Sequence, residues 1–101
     1  MAQRKLSLPA IRRAASAVPG AQEGTSYGTP AWRHKGRLLA RLHQDGESIV
    51  LNLGRQHLLQ ADPATFSVTD HYRNSTMFLA RRDRLTASDL GKLLLKASLR
   101  P

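Results

Sequence analysis

YGTPAWRHKGRLLARLHQDGESIVLNL, running from Tyr27 to Leu53, reads as three short strands joined by two tight turns. Lys35-Gly36 separates two alternating runs. Asp45-Gly46 is a two-residue hairpin signal, because a type I′ turn needs positive φ and Asp-Gly supplies it at little steric cost. Between the turns Leu38, Ala40 and Leu42 fall on one face, and Leu39, Arg41 and His43 on the other. In the next strand Ile49, Leu51 and Leu53 oppose Val50 and Asn52. A period of two describes a half-buried antiparallel meander, one face on a core and the other partly apolar and partly basic.

On the N-terminal side, Ala21 to Thr29 reads as a loop rich in Gly, Ser and Thr. Before it, Ser7 caps a helix with Pro9 in its first turn, where a missing N–H costs nothing. Leu8, Ile11, Ala15 and Val18 form its apolar stripe, Arg12 and Arg13 lie off it, and Pro19-Gly20 ends it. Residues 1–6 are a short basic lead. On the C-terminal side, Arg55 to Ala61 reads as a short helix with Leu58 and Leu59 turned inward, broken by Asp62-Pro63. Phe66 to Thr69 alternates as a fourth strand. Asp70 to Ser75 connects it to a fifth, Thr76 to Arg82, where Met77 and Leu79 oppose Phe78 and Ala80. The last helix carries a Thr86/Asp89 capping box and a Leu85/Leu90 staple. Leu90, Leu93, Leu94 and Ala97 make its buried stripe; Lys92, Lys96 and Arg100 recur every four residues as a basic ridge. Gly91 inside it suggests a close approach by another element. The order is α-β-β-β-α-β-β-α, without repeats or a linker.

The 101 residues make a single domain, 1–101, large enough to bury roughly 60–70% of the unfolded surface. Sixteen Lys and Arg against seven Asp and Glu give a net charge of +9, which attracts polyanions: nucleic acid, anionic lipid or an acidic partner. An arginine-rich proteome is the alternative source of such a charge. The absence of cysteine excludes disulfides, thiolate metal sites and cysteine nucleophiles. No apolar run approaches the roughly 20 residues of a spanning helix, and Arg12 and Arg13 interrupt any apolar core of a leader. The expectation is a cytoplasmic protein with no membrane association.

Nothing in the pattern favours catalysis. Ser26, His34, His43, His57, His71, Glu23, Asp45 and Asp70 are nucleophile, base and carboxylate candidates on paper, yet no nucleophile elbow frames a serine. The histidines lack H-x-x-x-H spacing, so a metal site is not expected. His34 and His43 could face one another across a hairpin as a structural pair. There is no G-x-G-x-x-G and no Walker A loop. The expectation is a non-enzymatic protein without cofactor. Basic residues cluster instead at the hairpins: Arg33, Lys35, Arg37 and Arg41 around the first, with Trp32 and His34 interleaved, and Tyr72, Arg73, Arg81, Arg82 and Arg84 around the second pair of strands. Such hairpins can neutralise phosphates and ride a groove edge; they can equally be solvated edges protected from aggregation. Trp32 is read as core, since few large residues are present to fill the interior.

EGTSYGTPAWRHKGRLLARL (Glu23 to Leu42) followed by ADPATFSVTDHYRNSTMFLARR (Ala61 to Arg82) resembles the MmcQ/YjbR family of small bacterial proteins. The resemblance runs from Pro19-Gly20 through the last helix. It implies a two-layer α+β fold, a five-stranded antiparallel sheet with helices packed on one side, similar in outline to secretion chaperones. It also implies DNA binding by a double-wing arrangement. The matching positions are Ser26, Tyr27, Gly28, Pro30, Trp32, Lys35, Gly36 and Arg37, then His71 and Tyr72. Leu39 replaces a common phenylalanine, and Asn74-Ser75-Thr76 a Gly-aromatic-Pro stretch.

The leading expectation is therefore a monomeric DNA-binding protein whose contacts are Arg33, Lys35, Arg37, Arg41, Tyr72, Arg73, Arg81, Arg82, Lys92 and Lys96. Two rivals stand beside it. One is a protein- or peptide-binding module using the sheet face or an edge. The other is a small-ligand pocket formed by Ser26, Tyr27, His71 and Tyr72.

Overall fold

The computed structural model describes residues 5–54, 56–73 and 75–99. Residues 1–4 of the basic lead, Arg55 at the expected start of the second helix, the His57 side chain, Asn74 and Arg100 of the ridge lie outside the description. Among the described residues the chain is α+β, with three α-helices and one open antiparallel sheet of six strands rather than five, in the order β1 (Ala21–Ser26), β2 (Thr29–His34), β3 (Arg37–Leu42), β4 (Ser48–Asn52), β6 (Met77–Arg81), β5 (Phe66–Ser67).

The additional strand is β1, Ala21–Ser26, in the segment read as a loop. Its sequence AQEGTS has no apolar alternation because it is a largely exposed edge strand that contributes backbone hydrogen bonds rather than core. It pairs with β2, Thr29–His34, from Ala21 opposite His34 to Ser26 opposite Thr29. Tyr27 and Gly28 make the turn, with φ of 53° and 77°. That is the positive-φ pair of a type I′ hairpin, in which a tyrosine takes a position where glycine or asparagine is cheaper. Lys35 and Gly36, φ 52° and 79°, repeat the device between β2 and β3, Arg37–Leu42.

The third turn differs from its expectation. The loop to β4, Ser48–Asn52, closes with the His43 N–H donating to the Ser48 carbonyl at 2.9 Å, which leaves four residues in the loop, not two. Of these only Gly46 has positive φ. Asp45 serves as an acceptor: its carboxylate takes the N–H groups of Glu47 and Ser48 at 2.8 and 3.1 Å. Burial works against ionisation of Asp45, but those amides and the nearby His43 imidazole outweigh it and hold the carboxyl below its ordinary range.

A register shift in the β2–β3 ladder also overturns the simple alternation of β3. Trp32 pairs with Ala40 and Arg33 with Leu38, so Leu39 is the extra residue of a bulge. Leu39 and Ala40 both join the main core, while Leu38 and Arg41 share the far side with Tyr72. The same register separates His34, which sits opposite Arg37, from His43 beyond the end of the strand, so the expected histidine pair does not form.

All three helices feed one core against the sheet. Ile11 and Ala15 come from α1, Leu8–Ser16, whose N-cap Ser7 Oγ accepts from the Ala10 N–H. Leu58 and Leu59 come from α2, Gln56–Ala61, and Leu90, Leu94 and Ala97 from α3, Ala87–Ser98. Trp32, Ile49, Leu51 and Phe78 face them from the sheet, and Phe78 meets Phe66 edge-on at 5.8 Å. The Thr86/Asp89 capping box forms as expected. Gly91 does not mark a close approach, because a side chain there would meet nothing within 4 Å.

The two last strands are shorter than their patterns. β5 is only Phe66–Ser67, pairing with Ala80 and Leu79 of β6, Met77–Arg81, and it ends while β6 continues through Phe78 and Met77. Val68 then leaves the sheet, and a 3₁₀ turn at Asp70–Tyr72 carries Tyr72 across the face away from the helices. There it covers a second, small apolar cluster with Val50 and Leu79. A further 3₁₀ turn, Arg82–Arg84, takes Arg82 out of the strand.

Candidate functional site

The residues expected to contact DNA do not make one surface. Trp32, Ala40 and Ala80 point into the helix-side core, so the pleat sends Arg33, Arg41 and Arg81 to the opposite face, and Arg73 follows Tyr72 there. Lys92 and Lys96 are exposed on α3, on the helix side. Lys35 stands at the tip of the β2–β3 hairpin, which is docked on the helix layer by Arg37: its Nη2 donates to the Ala97 carbonyl at 2.8 Å, in the last turn of α3. A cation there also complements the negative end of the helix dipole.

Most of the far-face cations are committed within the molecule. Arg81 grips Asp83 through two hydrogen bonds of 2.9 and 2.7 Å, which raise the guanidinium pKa and hold the Asp83 carboxyl below its ordinary range. Arg73 pairs with Asp70. Arg33 Nη1 donates to the Thr25 carbonyl at 3.3 Å.

Three expected contacts are corrected outright, because they are buried. Arg82 is 8% exposed and donates to the carbonyls of Leu6 at 2.9 Å and Gly46 at 2.6 Å. Arg41 is 3% and Tyr72 6% exposed, and Arg41 Nη2 donates to the Tyr72 hydroxyl at 2.6 Å. Sequence alternation placed Arg41 on the right face but carries no sign of the 3₁₀ turn that roofs it.

Of the residues expected to form a pocket, Tyr27, His71 and Tyr72 do come together, around Arg41. Ser26 does not join them; its carbonyl accepts from Thr29 Oγ1 across the β1–β2 turn. Two adjoining cavities of about 290 and 220 Å³ share Tyr27, Arg41, His71 and Tyr72. His43, Gln44 and Thr69 complete the first, and Leu38, Ser75 and Met77 the second. The Tyr27 ring lies over the Arg41 guanidinium at 5.1 Å, and His71 meets Tyr72 edge-on at 4.8 Å. His43 was legible as sharing Arg41's face. Gln44 was not, because it belongs to a loop longer than its sequence suggested.

A larger concavity of about 610 Å³ lies where the hairpin tip meets the end of α3, lined by His34, Lys35, Arg37, Leu95 and Leu99 among others. Lys92 and Lys96 line a third groove, about 330 Å³, beside Arg84, Asp62 and Asp89. On the helix side the side chains of Arg13, Lys35, Lys92 and Lys96 make no hydrogen bond or ion pair among the described residues, whereas Arg12 is tied to Glu23 at 2.8 Å. The sequence marks Arg13 only as a residue off the apolar stripe of α1. Among the described residues no group of three or more histidine, aspartate or glutamate side chains is placed to hold a metal, and no helix is long and apolar enough to cross a membrane.

No family model matches the chain, and no curated protein matches it. A solved structure does: the crystal structure of the Deinococcus radiodurans protein DR2400, with a DUF419 domain, superposes with a TM-score of 0.67 at 20% identity, over 92% of this chain and 76% of that one. At this identity the likeness is one of fold. It supports the small α+β architecture and leaves function to the site.

Proposed function

We propose that the chain is a non-enzymatic, cytoplasmic polyanion-binding protein that holds duplex DNA through its helix side. The observation that carries this reading is the set of uncommitted cations there. Arg13 on α1, Lys92 and Lys96 on α3, and Lys35 on the docked hairpin are exposed and lack partners among the described residues. Rigid elements present all four, so little ordering is lost on binding. The resemblance of the EGTSYGTP and KGR stretches to the MmcQ/YjbR family, described as DNA-binding, points the same way. The contact set is smaller than the sequence suggests and excludes Arg41, Tyr72 and Arg82, which the fold uses internally. Contacts of this kind go to phosphates and position the duplex without reading bases.

The test is a titration of the purified protein against a fluorescent duplex at several salt concentrations. Four phosphate contacts give a log–log salt slope of about −3 to −4. Lys35→Ala, Lys92→Ala and Lys96→Ala should each flatten it by about 0.9, while Arg73→Ala on the far face leaves it unchanged. Failure to bind at low salt, or a slope indifferent to the three lysines, overturns the reading.

A further inference from the structure

The cleft on the face away from the helices holds a buried charge that the protein itself does not neutralise. Arg41 is 3% exposed, over the apolar cluster of Val50, Leu79 and Tyr72. Its hydrogen-bond partners are the Tyr72 hydroxyl, Gln44 Oε1 at 3.2 Å and the Leu42 carbonyl at 3.3 Å, all uncharged. No ion pair among the described residues includes it, and its Nε is buried with no hydrogen-bond partner among them. A cation removed from water without a counter-charge is costly, and buried charges are ordinarily paired. An anion in the cleft would supply the missing charge.

The surrounding groups suit an anion of a particular kind. Tyr72 accepts from Arg41, so its own hydroxyl proton remains to be donated. His71 and His43 border the same space, and an imidazole carries at least one N–H donor. The Tyr27 ring, 75% exposed and stacked over the guanidinium, gives the cleft an aromatic wall. The combined space, two cavities of about 290 and 220 Å³ with shared walls, sits at the small end of ligand pockets. The geometry points to a binding site for a small planar carboxylate, its carboxyl group on Arg41 and Tyr72 and its flat body against Tyr27. Tyr27 takes φ of 53° at the β1–β2 turn, a strain that cheaper turn residues avoid, and the wall it builds accounts for a tyrosine there.

The test is an amide NMR titration of the full chain with benzoate, alongside benzamide and inorganic phosphate at matched ionic strength. Benzoate should saturate with a millimolar Kd and shift Tyr27, Arg41, His71 and Tyr72. Benzamide, which lacks the charge, and phosphate, which lacks the flat body, should bind at least about fivefold more weakly. Tyr27→Gly suits the positive φ and removes the wall; Tyr72→Phe keeps the ring and removes the donor. Each should weaken benzoate by about fivefold or more, and Lys92→Ala should not change it, which separates this site from the duplex-binding surface. The proposal is overturned by no saturation up to about 20 mM, by benzamide or phosphate binding as well as benzoate, or by shifts spread over the α3 lysines.

Discussion

Glu23 shows how a single exposed-strand residue comes to matter at the residue scale. Its carboxylate accepts from Arg12 Nε at 2.8 Å and from the Trp32 indole Nε1 at 3.1 Å, linking α1, β1 and the largest core side chain. The Arg12 hydrogen bond holds the Glu23 carboxyl below its ordinary range; partial burial opposes this and the Trp32 N–H assists. A depressed folded-state pKa contributes stability that is fully present above the unfolded value of about 4.3 and is lost as pH falls through the folded one. Glu23→Gln keeps an acceptor for Trp32 and removes the charge. Thermal melts should find the wild type ahead of the variant at about pH 6, with the gap closing toward about pH 3; a gap constant with pH would mean the ion pair contributes nothing. Trp32 as core was legible from composition. The role of Glu23 was not, because the strand that places it had no apolar signature.

At the scale of elements, α3 is where local chemistry and structure agree most closely. Its capping box, staple and buried stripe all stand where the spacing put them. Thr86 Oγ1 accepts from the Asp89 N–H at 3.0 Å, so Thr86→Ala should cost about 1 kcal/mol in denaturant unfolding. Gly91 has open space around it, and Gly91→Ala should stabilise the protein by up to about 1 kcal/mol by the same measurement. Loss of stability would reveal a packing role that the geometry lacks. β1 is the opposite case. An edge strand needs only backbone partners, so Gln22, Glu23 and Gly24 could be polar or small without harming it, and periodicity had nothing to register. The Leu39 bulge leaves no mark in the sequence for a related reason: one inserted residue in an apolar run leaves every local preference satisfied while it reverses the facing of its neighbours.

Arg82 acts at the scale of the whole molecule. Its guanidinium bonds the Leu6 and Gly46 carbonyls, and its own backbone exchanges hydrogen bonds with Leu6 and Glu47. Three segments far apart in sequence therefore meet on one side chain. Arg82→Ala should lower the denaturant midpoint by about 2–4 kcal/mol equivalent with little change in m-value, and Arg82→Lys should recover only part of it, because a lysine cannot match the forked geometry. If Arg82→Ala unfolds at the wild-type midpoint, the staple is not energetic. Duplex affinity is expected to track the lysines of the helix side rather than this residue, even though all carry the same charge.

The sequence by itself determined the α+β class, the meander at its centre, the three helices with the caps of the first and last, and the core position of Trp32. These follow from periodicity and turn chemistry, which act over a few residues. Only the tertiary structure decided which of the basic residues face solvent and which are built in. A formal charge is the same whether a guanidinium is solvated, as at Arg13, or roofed by an aromatic turn, as at Arg41. The difference is made by partners 31 to 76 residues away: Tyr72 for Arg41, Ala97 for Arg37 and Leu6 for Arg82. Local pattern carries no record of such partners, so charge could indicate a class of ligand while the fold alone selected the residues able to meet it.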